Sequence, residues 1–310
     1  MRRMLVKRRR RAYIPKFRRI PRGMTPVMGE KALIAVGGLL IALLLILLVK
    51  TIFGGQSNQK YIPTGDVAAF RIQPSALTAL YTLSEKYGIV YTELLAVYAI
   101  DNGFFPQKDE KAVDEIMLEK QYIMKLDQLK SQYPETQYGP YYQIIRDVFG
   151  TARRFPIQPE YTGDDYMYGD SFGAAVEFDG KSAHYAADIL DRENLAGRMA
   201  VLSMADGIVE EAGWRQDSGY FTSIRCQNGV HYQYSHMDSL AAGLSEGATI
   251  TAGQTLGAMG NTGGSKREGA ADGGPARLCI AIAPETTLGG KPFWFNPYPV
   301  LRFTEALGRQ

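Results

Sequence analysis

The sequence predicts an α+β chain: a single transmembrane helix, a small helical domain, then an antiparallel β domain. Three observations predict it. Between Lys31 and Lys50 lie 18 residues without a charge, Ala32 to Val49, dominated by Leu, Ile, Ala and Val. From about 74 to 149 apolar residues recur at helical spacing. After Gly150 short apolar runs alternate with Gly-rich turns, the texture of short paired strands. With 310 residues and 45% hydrophobic residues, a packed core is expected and whole-chain disorder is excluded.

Charge sets the topology. Residues 1–31 carry 12 Lys and Arg against one acid, Glu30, a balance of +11 that leaves −8 on the remainder of a chain whose total is +3. A basic block beside an apolar span follows the positive-inside rule and suits anionic lipid, so no nucleic-acid partner is expected. Residues 1–31 read as a basic cytoplasmic tail and 32–53 as an uncleaved span in the lipid bilayer. The span is longer than a secretory signal's apolar stretch, and no small-residue cleavage site follows it. The expected location is the cytoplasmic membrane, single-pass, with the N-terminus inside and the C-terminal part extracytoplasmic.

Residues 54–73 lack periodicity and read as a linker. The helical membrane-proximal region, 74–150, opens at Pro74-Ser75 with a helix ending near Gly88. Thr92 is a candidate cap for a second helix that stops at Asn102-Gly103. A longer helix is expected to carry Val113, Ile116, Ile123, Leu126 and Leu129, and "YYQIIRDVFG" a last short one. The stretch Lys86–Pro106 also resembles, more faintly, the helix of lytic transglycosylases that ends in a catalytic glutamate. Asp101 stands at that place, and a helix ending in an Asn-Gly cap explains the same letters. The β region, 151–310, contains Asn228-Gly229 between alternating runs, a hairpin signal.

Chemistry-bearing residues gather in this last region. His184 and Asp188 form an H-x-x-x-D pair, Tyr234-Ser235-His236 ends a strand, and His231 earlier in that strand reads as a surface residue. Cys226 and Cys279 are too few for a disulfide scaffold. Phe172-Gly173 precedes His184, and Ala205-Asp206-Gly207-Ile208-Val209 follows it. Gly253-Gln254, Gly257, Gly260, Thr262 and Gly263 come next, then "ARLCIAI" and Asn296-Pro297.

In this order and spacing, residues 172–301 resemble the M23 (lysostaphin-type, LytM-like) metallopeptidase family, zinc endopeptidases that cut peptidoglycan cross-bridges. The resemblance implies that family's duplicated-hybrid-motif β fold. It makes His184 and Asp188 metal ligands and His236 a catalytic histidine. The family's H-x-H strand is altered here: its catalytic histidine falls on Arg277 and its ligand histidine on Cys279. Ala186 stands where the family usually has Gly.

His184, Asp188 and Cys279 offer N, O and S donors, all acceptable to zinc, with a thiolate making bound water less acidic. The alternative is that Cys279 is a small core residue of a decayed site. Arg277 keeps its charge and cannot shuttle protons; it could stabilise an oxyanion or simply form a salt bridge in a binding groove. If Cys279 lies near His236, Cys226 sits about 20 Å along the strand, beyond disulfide reach. The expected function is therefore a membrane-anchored extracytoplasmic protein with a degenerate zinc site. It would act as a cell-wall scaffold or regulator, as degenerate members do in sporulation, with peptidoglycan or an extracytoplasmic protein as partner. The alternative is an active zinc endopeptidase cutting peptidoglycan cross-links.

Overall fold

The computed structural model describes residues 64–104, 113–175 and 183–308. The basic tail and the apolar span at 32–53 lie outside these residues. Among the described residues no helix is long and apolar enough to cross a membrane. Residues 62–310 form one compact unit.

The helices come first. After α1 (Thr64–Ala68), α2 runs Pro74–Tyr87 and α3 Tyr91–Asp101. Pro at the start of α2 suits a position whose N–H has no helical partner. Gly88 ends α2 in the left-handed region at φ 64°, and the amides of Gly88 and Ile89 return to Glu85 and Ser84. The second helix begins one residue before Thr92, with Val90 at the N-cap position.

The longer helix expected over Val113–Leu129 is instead broken. It becomes α4 (Glu115–Leu118), a π-helical turn (Glu119–Ile123) and α5 (Leu126–Gln132). Cross-helix bonds explain the break. Lys86 and Tyr87 hold Glu119, while Tyr122 turns inward to Asn102 and Asp101. Ile116 is left 61% exposed. The final helix, α6, is longer than its apolar letters suggested, running Glu135–Thr151.

The β region builds a nine-stranded antiparallel sheet. Its main path is β1 (Tyr166–Tyr168), β4 (Ala187–Asp191), β11 (Arg277–Ala283), β8 (His231–Leu240), β7 (Gly219–Arg225), β6 (Gly207–Arg215) and β9 (Thr249–Ile250). β10 (Thr255–Met259) pairs with β8 and with β5 (Ala200–Leu202). β2 (Ala174–Ala175) and β3 (Ala183–His184) form a separate pair. The hairpin at Asn228-Gly229 is present, but its loop spans residues 226–230: Gly229 N–H bonds Cys226 O, and Cys226 N–H bonds Val230 O.

Strand alternation decides which face is buried. On β11, Leu278, Ile280 and Ile282 are fully buried while Arg277, Cys279 and Ala281 are only partly so. The buried face belongs to the same hydrophobic cluster as the helices. Tyr232 crosses from the sheet to α6, its hydroxyl donating to Val148 O at 3.0 Å. Phe149 of α6 meets Phe70, Phe295 and Phe303 with centroids 5.7–6.3 Å apart. Helix α7 (Tyr298–Gly308) closes that cluster, with Phe303 stacked on Tyr91 at 4.8 Å. The opposite face of β4, β11 and β8 is left for chemistry.

Candidate metal centre

Register assembles the site. Cys279 of β11 pairs with Asp188 of β4 on one side and with Ser235 of β8 on the other. His184 ends β3, four residues before Asp188. One donor atom each from His184, Asp188 and Cys279 lies within 4.8 Å of the others. His184 Nε2 is 3.6 Å from Asp188 Oδ2 and 3.7 Å from Cys279 Sγ. Metal bonds of about 2.0–2.3 Å in a tetrahedron place neighbouring donors roughly 3.3–3.8 Å apart. Both of these separations fit that edge.

Two further features suit a cation. Asp188 Oδ1 is buried with no hydrogen-bond partner, a costly state for a carboxylate oxygen unless something positive meets it. Ser171 Oγ lies 3.4 Å from His184 Nδ1, and Gly173 N–H bonds His184 O, so the ring is oriented with Nε2 toward the other donors. Burial, then the nearby Asp188 carboxylate, pushes the Cys279 thiol well above its ordinary value. A dication would reverse that balance, because a ligating thiol gives up its proton. The donor set fits zinc.

His236 reaches the same face through a distortion of β8. Tyr220 pairs with Met237 and Thr222 with Tyr234, so β8 holds an extra residue there. His236 takes up that bulge at φ 62°, its N–H donating to Ser218 O at 2.7 Å. A left-handed histidine carries strain of roughly 1–3 kcal/mol, which the surrounding bonds sustain. Its Nδ1–H donates to Thr262 O at 2.8 Å, leaving Nε2 as the proton acceptor. Burial first, then the Arg277 charge, holds its pKa below the ordinary histidine value, while Asp272 and Asp188 pull the other way.

Arg277 stands two residues before Cys279 on the same face of β11. Its guanidinium grips Asp272, with Nη2–Oδ2 at 2.5 Å and Nη1–Oδ1 at 3.4 Å, and Nη1 also donates to Pro275 O at 3.2 Å. Asp272 Oδ2 lies 3.6 Å from His236 Nδ1. Asp272 thus sits between His236 and Arg277, the two residues that the sequence resemblance aligns with catalytic histidines. Burial works against its charge, but Arg277 and the Gly274 amide more than offset this and hold its carboxyl below the usual range.

The structure therefore brings together His184, Asp188, Cys279, His236 and Arg277. His231 is elsewhere, bonded to Glu210 at the start of β8. Both cysteines are free thiols, and Cys226 is buried at the base of the hairpin loop. Sequence reasoning missed Asp272, which sits in an "ADGG" turn with no periodicity to mark it. It also assigned no role to Thr262, although Thr262 belongs to the motif quoted above. Thr262 Oγ1 accepts from Tyr220 N–H and donates to Met237 O, and this fixes the carbonyl that orients His236.

Residues 183–275 match the model of Peptidase family M23, a match that stops two residues before Arg277. The L-Ala--D-Glu endopeptidase of Bacillus subtilis is 31% identical over 142 residues, which cover 46% of this chain and 41% of that protein. The match thus spans less than half the length of this curated relative. A LytM structure from Ruminococcus gnavus superposes with a TM-score of 0.59 at 25% identity, covering 79% of this chain and 92% of that one. The lysostaphin catalytic domain from Staphylococcus simulans is 22% identical with a TM-score of 0.35, covering 45% of this chain and 94% of that one.

Proposed function

Because this chain is a member of peptidase family M23, we propose that it keeps the family's metal corner but not its proton-transfer pair. In this reading it works as a cell-wall-associated scaffold or regulator. The observation that carries the reading is the Arg277–Asp272 pair. Peptide hydrolysis needs a group to take a proton from water and one to return a proton to the leaving amine. A guanidinium is not a proton shuttle, and both arms of the one on Arg277 are engaged by Asp272. His236 can accept a proton at Nε2, but it has no second titrating partner at the arginine's position.

His184, Asp188 and Cys279 would hold zinc. When bound, such an ion polarises water and carbonyl oxygens. The thiolate of Cys279 would make that water less acidic than a third neutral donor would. Residues 32–53 serve as a single membrane anchor with the N-terminus inside, so the folded unit faces the wall. Its partner is peptidoglycan or an extracytoplasmic protein. A second reading, an active endopeptidase cutting peptidoglycan peptide cross-links, is favoured by one observation: His236 is well oriented by Thr262 O. Arg277 would then act as a fixed charge on an oxyanion.

Zinc content of the full chain, measured beside its hydrolysis of purified peptidoglycan, separates the readings. The scaffold reading expects close to one zinc per chain, little cleavage, and gained activity in the double variant Arg277→His, Cys279→His. Robust cleavage by the native chain, lost on chelation and on His236→Ala, would establish the peptidase instead. For the topology, a cysteine placed near position 5 should resist an impermeant label in intact cells; labelling there would overturn the orientation.

A further inference from the structure

A second cleft lies among the helices, away from the metal corner. Its volume is about 540 Å³, within the roughly 300–1,000 Å³ range of small-ligand sites. Asp101, Asp114, Lys120, Gln121, Lys125 and Gln128 supply its polar lining. The carboxylate of Asp101 sits in its wall, accepting from Tyr122 Oη at 2.7 Å and Tyr133 Oη at 3.0 Å, with Gln121 Nε2 at 3.5 Å. Tyr122 Oη in turn accepts from Asn102 Nδ2 at 2.8 Å.

The arrangement carries a local cost. Asp101 is the last residue of α3, the end of a helix where a negative charge is disfavoured. The π-turn at Glu119–Ile123 that delivers Gln121 and Tyr122 is a rare form that recurs at functional sites. A rigid acceptor has been placed in an open cleft at some cost.

The lining indicates what would bind. Two carboxylates face two lysines, so the cleft carries no net formal charge and offers little to a polyanion. Gln128 presents an amide donor and an acceptor, Gln121 offers its amide oxygen while its Nε2 is held by Asp101 and Tyr122 Oη, and Asp101 accepts from hydroxyls. Ile116 and Met117, 61% and 50% exposed, add an apolar patch to the same wall. Hydroxyls, amides and apolar C–H faces on one uncharged ligand describe an N-acetylated saccharide. We propose that this cleft binds a saccharide chain bearing hydroxyl and acetamido groups, independently of the metal corner. The inference rests on the wall-associated reading above, because it names a glycan strand as what the helical layer holds.

The test is calorimetric titration of the full chain in mild detergent with the N-acetylglucosamine tetramer. Saturable binding is expected, weakened about ten-fold or more by Asp101→Asn and by Gln128→Ala, and unchanged by His184→Ala. Gln128 is exposed, so its variant keeps the test intact if loss of Asp101 unsettles the tyrosine network. No saturable binding at millimolar tetramer overturns the proposal, as does binding that survives both substitutions. Competition for this cleft by a wall-derived peptide free of sugar, with none by the tetramer, overturns it as well. Zinc content and wall hydrolysis on the same preparation judge the metal-corner reading separately, so either can fail alone.

Discussion

At the scale of single residues, the candidate site turns on Cys279 and Asp272. Cys279 supplies sulfur where the family resemblance expects a ring nitrogen. Because it lies on the half-open face of β11 rather than in the core, Cys279→Ser should leave the fold intact. It should weaken zinc retention by at least the roughly 10–100-fold that loss of a supporting contact costs. Elemental analysis after dialysis checks this; unchanged zinc would remove Cys279 from the ligand set. Asp272 is the other decisive residue. Asp272→Asn removes the charge that holds Arg277 and should cost about 1.5–3 kcal/mol, the range for a hydrogen bond to a charged group, read by urea unfolding at neutral pH.

The pH dependence follows from the same residues. A carboxyl held below its ordinary value contributes stability that is present above the unfolded pKa, near 3.8, and lost as pH falls through the folded one. His236, buried and held below 6.5, acts earlier: the unfolded chain takes up a proton that the folded site resists. Stability should therefore fall on acidification in two stages, first below about 6.5 and then below about 4. Asp272→Asn should flatten the second stage, and unfolding midpoints measured from pH 7 to pH 3 would show whether it does.

At the scale of elements, the bulge in β8 and the turn carrying Thr262 form one device. Gly219, at φ 66°, opens β7 directly beneath Thr262; a Cβ there would lie 2.2 Å from Thr262 Oγ1 and 2.3 Å from Thr262 O. Both atoms belong to the residue that aligns His236. Gly219→Ala must therefore displace the Thr262 turn, beyond the ordinary penalty of a side chain in the left-handed region. A stability loss of about 1–3 kcal/mol is expected, with zinc content retained because the metal donors sit on β3, β4 and β11. A chain that lost zinc while keeping its stability would break this account.

At the scale of the whole described unit, helices and sheet share one core. Asn296 shows how tightly the two are tied. It is fully buried, donating from Nδ2 to Phe70 O and to Asp170 Oδ1, each at 3.2 Å, while its backbone N–H bonds Ala68 O at 2.7 Å. Far-UV circular dichroism, weighted to the helices, should then melt together with the fluorescence of Trp214 and Trp294 in the β region. Asn296→Ala strands a buried carbonyl and should cost about 1–3 kcal/mol on both signals alike. A helical signal that melts first would mean the two layers are separately stable.

What the sequence by itself determined is local or borne by motif order. Pro74 and Gly88 mark the ends of a helix through backbone constraints that act within a few residues. Alternation in "ARLCIAI" separates a core face from an open one, and the order of glycines and histidines across 172–301 is enough to identify the β fold. The residues His184, Asp188 and Cys279 were legible for the same reason. Tertiary structure alone decided the rest. Register across three strands sets Asp188 opposite Cys279, 91 positions apart in the chain. The bulge that aims His236 depends on how β8 pairs with β7. Asp272 acquires its meaning only from the guanidinium and imidazole that fold against it. The broken helix at Glu119–Ile123 shows the limit most clearly: its apolar spacing favours one continuous helix, yet bonds from Lys86, Tyr87 and Asp101 outweigh local periodicity. Those partners come from distant turns of chain, and spacing along the sequence does not encode which of them will arrive.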